Sequence, residues 1–309
     1  MVLFNIYRPL TYAFILMEQT IPANTPVSKK RSWITVVIKI AISGICLWYV
    51  SQKIDWLVTW QLLSGSQKGW LLLAAMFFVL SKMVSALRLN IYFKNIEVQL
   101  SQPANLRLYW LGMFYNLFLP GGIGGDAYKV IVLNKQYPNR VKKLSSAVLL
   151  DRISGVVGLG ILGGLYYFFI FKGQQYSWWL LAGILPAIVV YYWFVKKVFL
   201  LFLQSFANTL WLGIAVQFLQ VLCVYCLMLS IQIHQHQSQY VLLFLLSSVV
   251  AILPFTVGGL GAREVVFLWG SQHFGLNSQQ SVYISILFYL ITAAVSCIGL
   301  RWVYKNPLK

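Results

Sequence analysis

Acidic residues are few in this chain: six Asp and Glu in 309 residues, against 24 Lys and Arg. Charged residues of both signs make up only 10% of the sequence, too little to clothe a soluble domain of this length. Cysteine and histidine are also sparse, at four and three. Cys223-x-x-Cys226 has no second pair beside it. His234 and His236 lie about 12 Å or more further along if the segment is helical, so no metal or thiol-redox centre is expected there. Cys46, Cys223, Cys226 and Cys297 all fall in apolar runs and read as small buried hydrophobes. No hydrophilic loop exceeds roughly twenty residues, which leaves little room for a nucleotide or tRNA donor. A cleavable leader is not evident either. The apolar stretch in residues 1–28 is interrupted by Arg8, Pro9 and Glu18 and reads as an interfacial or loosely ordered tail.

What is abundant is hydrophobicity. Apolar residues make up 60% of the chain and the mean hydropathy is +0.74, which describes an integral membrane protein. Aromatics reach 16%, and Trp33, Trp48, Tyr49, Trp70, Trp178, Trp179 and Tyr191 stand at the edges of apolar runs, where amphipathic rings favour the headgroup level. The formal charge of +18 sits in short loops beside those runs. That placement follows the positive-inside rule and attraction to anionic lipid, and a nucleic-acid partner is not expected.

Runs long enough to span a bilayer occur at 33–50, 70–87, 145–171, 177–195, 209–231 and 280–299. Two further segments are short and broken: 105–119 and 126–134 around "PGGIGGD", and 240–253 and 264–270 around "PFTVGGLGARE". The basic residues orient them. Lys29, Lys30 and Arg31 place the first loop in the cytoplasm, as Lys135, Arg140, Lys142 and Lys143 do for 135–143. The first broken segment therefore enters from and returns to the cytoplasmic face. The loops 232–239 and 271–279 lack Lys and Arg, so the second does the same from the outer face. The last span brings Arg301, Lys305 and Lys309 back to the cytoplasm. The stretch 51–69, with Ile54, Trp56, Leu57, Trp60, Leu62 and Leu63, reads as an amphipathic helix on the outer surface.

The predicted fold is an all-α polytopic membrane protein of six transmembrane helices and two re-entrant broken-helix hairpins. Residues 29–309 form a single membrane domain after the 1–28 tail. Three crossings with a hairpin before the third, about 33–171, correspond to a second such set, about 177–299. Three being odd, the second copy is inverted. The breaks match as well: Pro120 then Gly121, Gly122, Gly124 and Gly125, against Pro254 then Gly258, Gly259 and Gly261. Inverted repeats with Gly/Pro-interrupted helices point to a binding site near the membrane midplane. Proline interrupts each first half-helix and glycine permits the reversal. Each second half-helix offers free N–H groups and a positive dipole end, which favours an anion such as phosphate. "GGIGGD" is not a dinucleotide fingerprint, because no strand precedes it and Ala127 stands where the last glycine belongs.

Three of the six acids, Asp126, Asp151 and Glu264, lie in or beside apolar segments, where a charge costs about 2.5–3.5 kcal/mol at the bilayer centre. Each has a basic neighbour in sequence: Lys129, Arg152 and Arg263 respectively. These six residues and Asn116, at the head of the first break, are the candidate substrate-binding set. Blander roles stand beside that reading. Asp126 also suits an N-cap, and Asp151 with Arg152 a structural ion pair. Lys82 and Arg88 suit snorkelling to lipid phosphates, and Gly155, Gly158, Gly160, Gly163 and Gly164 a close-packing face.

Three linked stretches, "NLFLPGGIGGDAYK" (116–129), "LLDRISG" (149–155) and "LPFTVGGLGARE" (253–264), resemble the lysylphosphatidylglycerol synthase transmembrane region, also described as flippase-like membrane proteins. The resemblance runs from about residue 33 to 300. It implies a lipid-handling domain, best known as the half of a bacterial resistance factor that moves an aminoacylated phospholipid between leaflets. Relatives also accompany glycosyltransferases or lipid-modification genes. This chain carries Lys129 where members often have Arg, replacing a planar fork with a point charge. No aminoacyl-transferase domain is expected after residue 300, so the chain is not expected to make its lipid by that route.

The expected function is a stand-alone flippase-like protein of a bacterial inner membrane, with both termini cytoplasmic, that binds and translocates a phospholipid or other lipid-linked headgroup. Arg263, Lys129 and the half-helix N-termini would bind phosphate. Asp126 and Glu264 would pair with cationic headgroup atoms or a coupling proton. Its partners would be anionic or phosphate-bearing lipids and lipid- or glycan-modifying enzymes, with no cofactor. The alternatives are a membrane-embedded transferase with Asp126 or Glu264 as base, or an accessory subunit of such an enzyme.

Overall fold

The computed structural model describes residues 44–45, 48–49, 52, 56–118, 124–252, 259–304 and 307–308. The tail 1–28, nearly all of the expected span 33–50, and the hairpin residues Pro120, Gly121, Gly122, Pro254 and Gly258 lie outside the described residues. Among those described, every regular element is helical.

From Trp56 onward, among the described residues, ten α-helices follow one another: α1 (Trp56–Gly65), α2 (Lys68–Asn95), α3 (Gln102–Phe118), α4 (Gly124–Gln136), α5 (Val141–Phe171), α6 (Gln175–Val198), α7 (Phe206–Ser230), α8 (Gln237–Ile252), α9 (Ala262–His273) and α10 (Ser278–Cys297). Short 3-10 turns at Leu200–Ser205 and Ile298–Trp302 extend α7 and α10. Five stretches are long and apolar enough to cross a membrane: Lys68–Asn95, Val141–Phe171, Gln175–Val198, Leu200–Ser230 and Ser278–Trp302. They coincide with five of the six expected spans. α2 alone, 28 residues long, reaches about 42 Å at 1.5 Å per residue, more than the hydrocarbon thickness of about 30 Å.

The shorter helices fall where the apolar runs break. α3 and α4 cross at backbone contact, since a Cβ on Gly125 would lie 1.8 Å from the carbonyl oxygen of Gly112. Only two glycines meeting face to face allow that approach. α9 starts from a turn in which Gly259 and Gly261 both have φ +84°, in the left-handed region that favours glycine. α1 is helical where the amphipathic stretch was expected. Its end is fastened by Ser66, whose Oγ lies 2.6 Å from Tyr283 Oη, and by the Gln67 N–H, which donates to the Ser230 carbonyl at 2.9 Å.

Two apolar clusters hold the helices together. One gathers the first half of α2 with α7, α8 and α10, and its centre is Phe288, ringed edge-on by Phe78 at 5.5 Å and Phe244 at 4.7 Å. The other gathers the second half of α2 with α4, α5 and Phe202, which meets Tyr92 edge-on at 5.7 Å. Between Phe78 and Leu89, α2 turns polar: Ser81, Lys82, Ser85 and Arg88 stand between the clusters. α6 differs from the rest. Only 11% of its apolar window is buried, against 50% for the Leu200–Ser230 stretch, so it is the most lipid-facing of the five.

The glycine-rich face of α5 divides in two. Gly158 packs against Gly213 of α7, where a Cβ would lie 2.8 Å from the Gly213 carbonyl, as close packing predicts. Gly160 and Gly163 meet nothing within 4 Å and instead line an apolar cavity of about 520 Å³ between α5, α6 and α8, which corrects the expectation of close packing at those two positions.

Candidate functional site

The polar stretch of α2 forms one wall of a second cavity, of about 360 Å³, within the size range of small-molecule sites. α3 adds Tyr109 and Asn116, α5 adds Asp151 and Arg152, and α7 adds Gln217 and Gln220. The opposite wall comes from the second broken segment and α10, with Ser248, Gly259, Arg263 and Thr292. Both interrupted segments thus contribute to one hydrophilic chamber among helices of membrane-spanning length.

Its charges are tied together across helices. Asp151 on α5 accepts from Arg88 Nε on α2 at 2.7 Å, and Arg88 itself is only 4% exposed. Asp126 on α4, 6% exposed, takes Lys129 Nζ at 3.0 Å on one oxygen and Arg152 Nε of α5 on the other. Lys129 also lies 4.6 Å from the centre of the Tyr109 ring. Burying such charges is tolerable only because each is paired. Glu264, 1% exposed, is held by neutral donors: the Gly261 N–H at 2.7 Å and Ser285 Oγ at 2.8 Å.

Asp126 pairs with its sequence neighbour Lys129 as expected, whereas the other two neighbour pairings are corrected. Adjacent residues on a helix point about 100° apart and do not face each other. Asp151 therefore pairs with Arg88 rather than Arg152, and Arg152 crosses to Asp126. Arg263 turns away from Glu264, lying 5.0 Å from the Phe288 ring centre and 5.8 Å from that of Phe244, with Nη1 3.4 Å from Ser248 Oγ. Arg88 and Lys82 do not snorkel to the surface. Arg88 is buried in an ion pair and Lys82 lines the chamber with its ammonium 4.6 Å from the Phe78 ring centre. For Lys82 the signal was present in the sequence, because a Lys inside a spanning run is itself an indication of function, whereas Arg88 stood just past the 70–87 run and is brought inside only because α2 continues to Asn95.

The candidate set is thus partly assembled. Asn116, Asp151, Arg152, Gly259 and Arg263 line the chamber. Asp126 and Lys129 stand behind Arg152 and reach the chamber through it, while Glu264 braces the start of α9. Asn116 caps α4, accepting the Gly125 N–H at 2.8 Å, a place foreseen for Asp126 itself. At both helix starts, one of the amides expected to greet an anion is already occupied by a side chain. Among the described residues, Lys82 and Arg263 are the chamber cations with no carboxylate within ion-pair distance. Tyr109, Gln217, Gln220 and Ser248 are lining residues that the sequence did not single out, since isolated polar residues in apolar runs carry no periodic signature. Among the described residues, no three His, Cys, Asp or Glu side chains come together as metal ligands would.

Comparison with known proteins places the chain in a family of membrane proteins. A UPF0104 membrane protein of Pyrococcus horikoshii is 26% identical over 129 residues, covering 41% of this chain and 37% of the relative. The match therefore spans little more than a third of that relative's length. The family model of the lysylphosphatidylglycerol synthase TM region matches residues 36–299. With that much of its length matched, and with five helices of spanning length and composition, the chain belongs to the lysylphosphatidylglycerol synthase TM region family of integral membrane proteins.

Proposed function

We propose that this protein translocates a lipid headgroup between leaflets, holding it in the polar chamber while its acyl chains stay in the bilayer. The observation that carries the proposal is the chamber itself: Lys82, Arg88, Arg152 and Arg263 converge on a hydrophilic space among helices of spanning length. Such a cluster is expensive in a membrane unless it serves a polar ligand. In this reading, residues 29–309 are a single membrane domain of six crossings, with α3–α4 and α8–α9 as re-entrant hairpins from opposite faces. Repeats at about 33–171 and 177–299 rock against each other about the chamber. Both termini face the cytoplasm of a bacterial inner membrane. Arg263 and Arg152 hold the phosphate, and Asp126 with Lys129 sets the position of Arg152. Lipid- or glycan-modifying enzymes supply or consume the lipid.

The transferase alternative is less well supported. A general base needs a carboxylate within reach of its proton. Asp126 is held by two cations and Glu264 by two donors at almost no exposure. The test is flipping of fluorescent phosphatidylglycerol in proteoliposomes, read by quenching from outside. Wild type is expected to accelerate it, and Arg263→Gln and Asp126→Asn to slow it at least tenfold while thermal unfolding still reports a folded protein. Unchanged rates in both folded variants would reject the site. Product formed from lipid plus an aminoacyl or glycosyl donor would favour the transferase.

A further inference from the structure

The charge balance of the chamber also bears on which headgroup it accepts. Four cations line it, Lys82, Arg88, Arg152 and Arg263, against the one carboxylate of Asp151. That carboxylate is already taken by Arg88. The carboxylates nearby are engaged too: Asp126 by Lys129 and Arg152, and Glu264 by the Gly261 amide and Ser285. Among the described residues, therefore, Asp126 and Asp151 are each charge-compensated by a cation, and Asp151 keeps only its second oxygen open to the chamber.

The opposite holds for the donors. Neither Lys82 nor Arg263 has a carboxylate partner among the described residues. Their neighbours are aromatic faces and, for Arg263, one serine hydroxyl. Arg88 spends Nε on Asp151, but its buried Nη1 has no hydrogen-bond partner, although the residue is 4% exposed and lines the chamber. Gln217 lines it as well, its amide donating to the Gly155 carbonyl at 3.1 Å. An unsatisfied buried donor on a guanidinium is costly to leave without an acceptor.

We infer that the chamber selects a headgroup bearing a phosphomonoester or diphosphate, with at least two negative charges and no amine, and disfavours aminoacylated or zwitterionic lipids. The inference rests on the lipid-binding reading above and narrows it. An ammonium in the headgroup would meet Lys82 and Arg263 with only Asp151, already neutralised by Arg88, to receive it, and that surplus of positive charge acts against the wrong ligand as attraction selects the right one. A dianionic phosphate offers acceptors to both Arg263 and Lys82, and to the guanidinium in the forked geometry for which it is suited.

The test compares dioleoylphosphatidic acid, dioleoylphosphatidylglycerol, dioleoylphosphatidylethanolamine and lysylphosphatidylglycerol, by native mass spectrometry of delipidated protein and by competition for the flipping substrate. Phosphatidic acid is expected to bind at least tenfold more tightly than lysylphosphatidylglycerol, about 1.4 kcal/mol. Arg263→Gln and Lys82→Gln should shrink that ratio towards one, while Arg263→Lys retains most of it. Equal or tighter binding of lysylphosphatidylglycerol to wild type would overturn the inference, whatever the variants do. Inorganic pyrophosphate separates the sources. If it binds as tightly as phosphatidic acid and is lost in Arg263→Gln, the anion preference holds but the ligand is soluble and the lipid reading falls. If phosphatidylglycerol is flipped with no preference for phosphatidic acid, translocation stands and the headgroup assignment falls.

Discussion

At the scale of single residues, burial decides which charges matter. Arg88 and Asp151 have side chains only 5% and 11% exposed, so removing either leaves the other as an uncompensated charge in a poorly solvated place. Arg88→Met or Asp151→Leu alone is expected to destabilise the protein by about 3–5 kcal/mol, and the pair together by clearly less than their sum. Thermal unfolding of all three variants in detergent, read by intrinsic tryptophan fluorescence, measures this. The contrast is Arg140 with Glu97, a pair at 3.2 Å whose Glu97 side chain is 80% exposed. Solvent screening limits such a pair to about 0–1 kcal/mol, so Glu97→Gln should leave the unfolding midpoint nearly unchanged. The sequence made Asp126, Asp151 and Glu264 visible because an acid in an apolar run stands out. It could not reveal their partners, since Arg88 lies 63 residues from Asp151 and only the packing of α2 against α5 joins them.

Among elements, the informative comparison is between two glycines that look alike in sequence. A Cβ on Gly125 would meet the backbone of Gly112 at 1.8 Å, and a backbone cannot step aside without parting α3 from α4. A Cβ on Gly270 would meet Leu243 at 2.1 Å, but at the far end of a side chain that can change rotamer. Gly125→Ala should therefore lower the unfolding midpoint substantially, by about 2 kcal/mol or more, and Gly270→Ala by at most about 1 kcal/mol. Equal shifts in the two would contradict the crossing drawn here. Helix positions were legible because runs of about twenty apolar residues leave few alternatives. The spans expected at 145–171 and 280–299 became Val141–Phe171 and, with its closing 3-10 turn, Ser278–Trp302, extended into polar flanks that hydropathy ignores. The division of the α5 glycine face was not legible. Gly158 and Gly160 are two residues apart, and which of them meets α7 depends on a neighbour that the local sequence does not name.

For the whole molecule, the proposed inversion of the two repeats makes a prediction about sidedness. In a variant whose native cysteines are replaced, a cysteine at Asn139 should react with an impermeant thiol reagent only from the cytoplasmic side, and one at Gln235 only from outside. Reaction of both from one side would remove the inverted arrangement, and with it the idea that the broken segments approach from opposite faces. A broader consequence comes from the layer of Ser81, Lys82, Ser85 and Arg88 that separates the two apolar clusters. Along that stretch of α2 apolar contact gives way to the Arg88–Asp151 pair, which ties α2 to α5. The place where a ligand would rest is therefore joined by directional polar bonds rather than by grease, and a bound anion would draw on the same cations that link those helices.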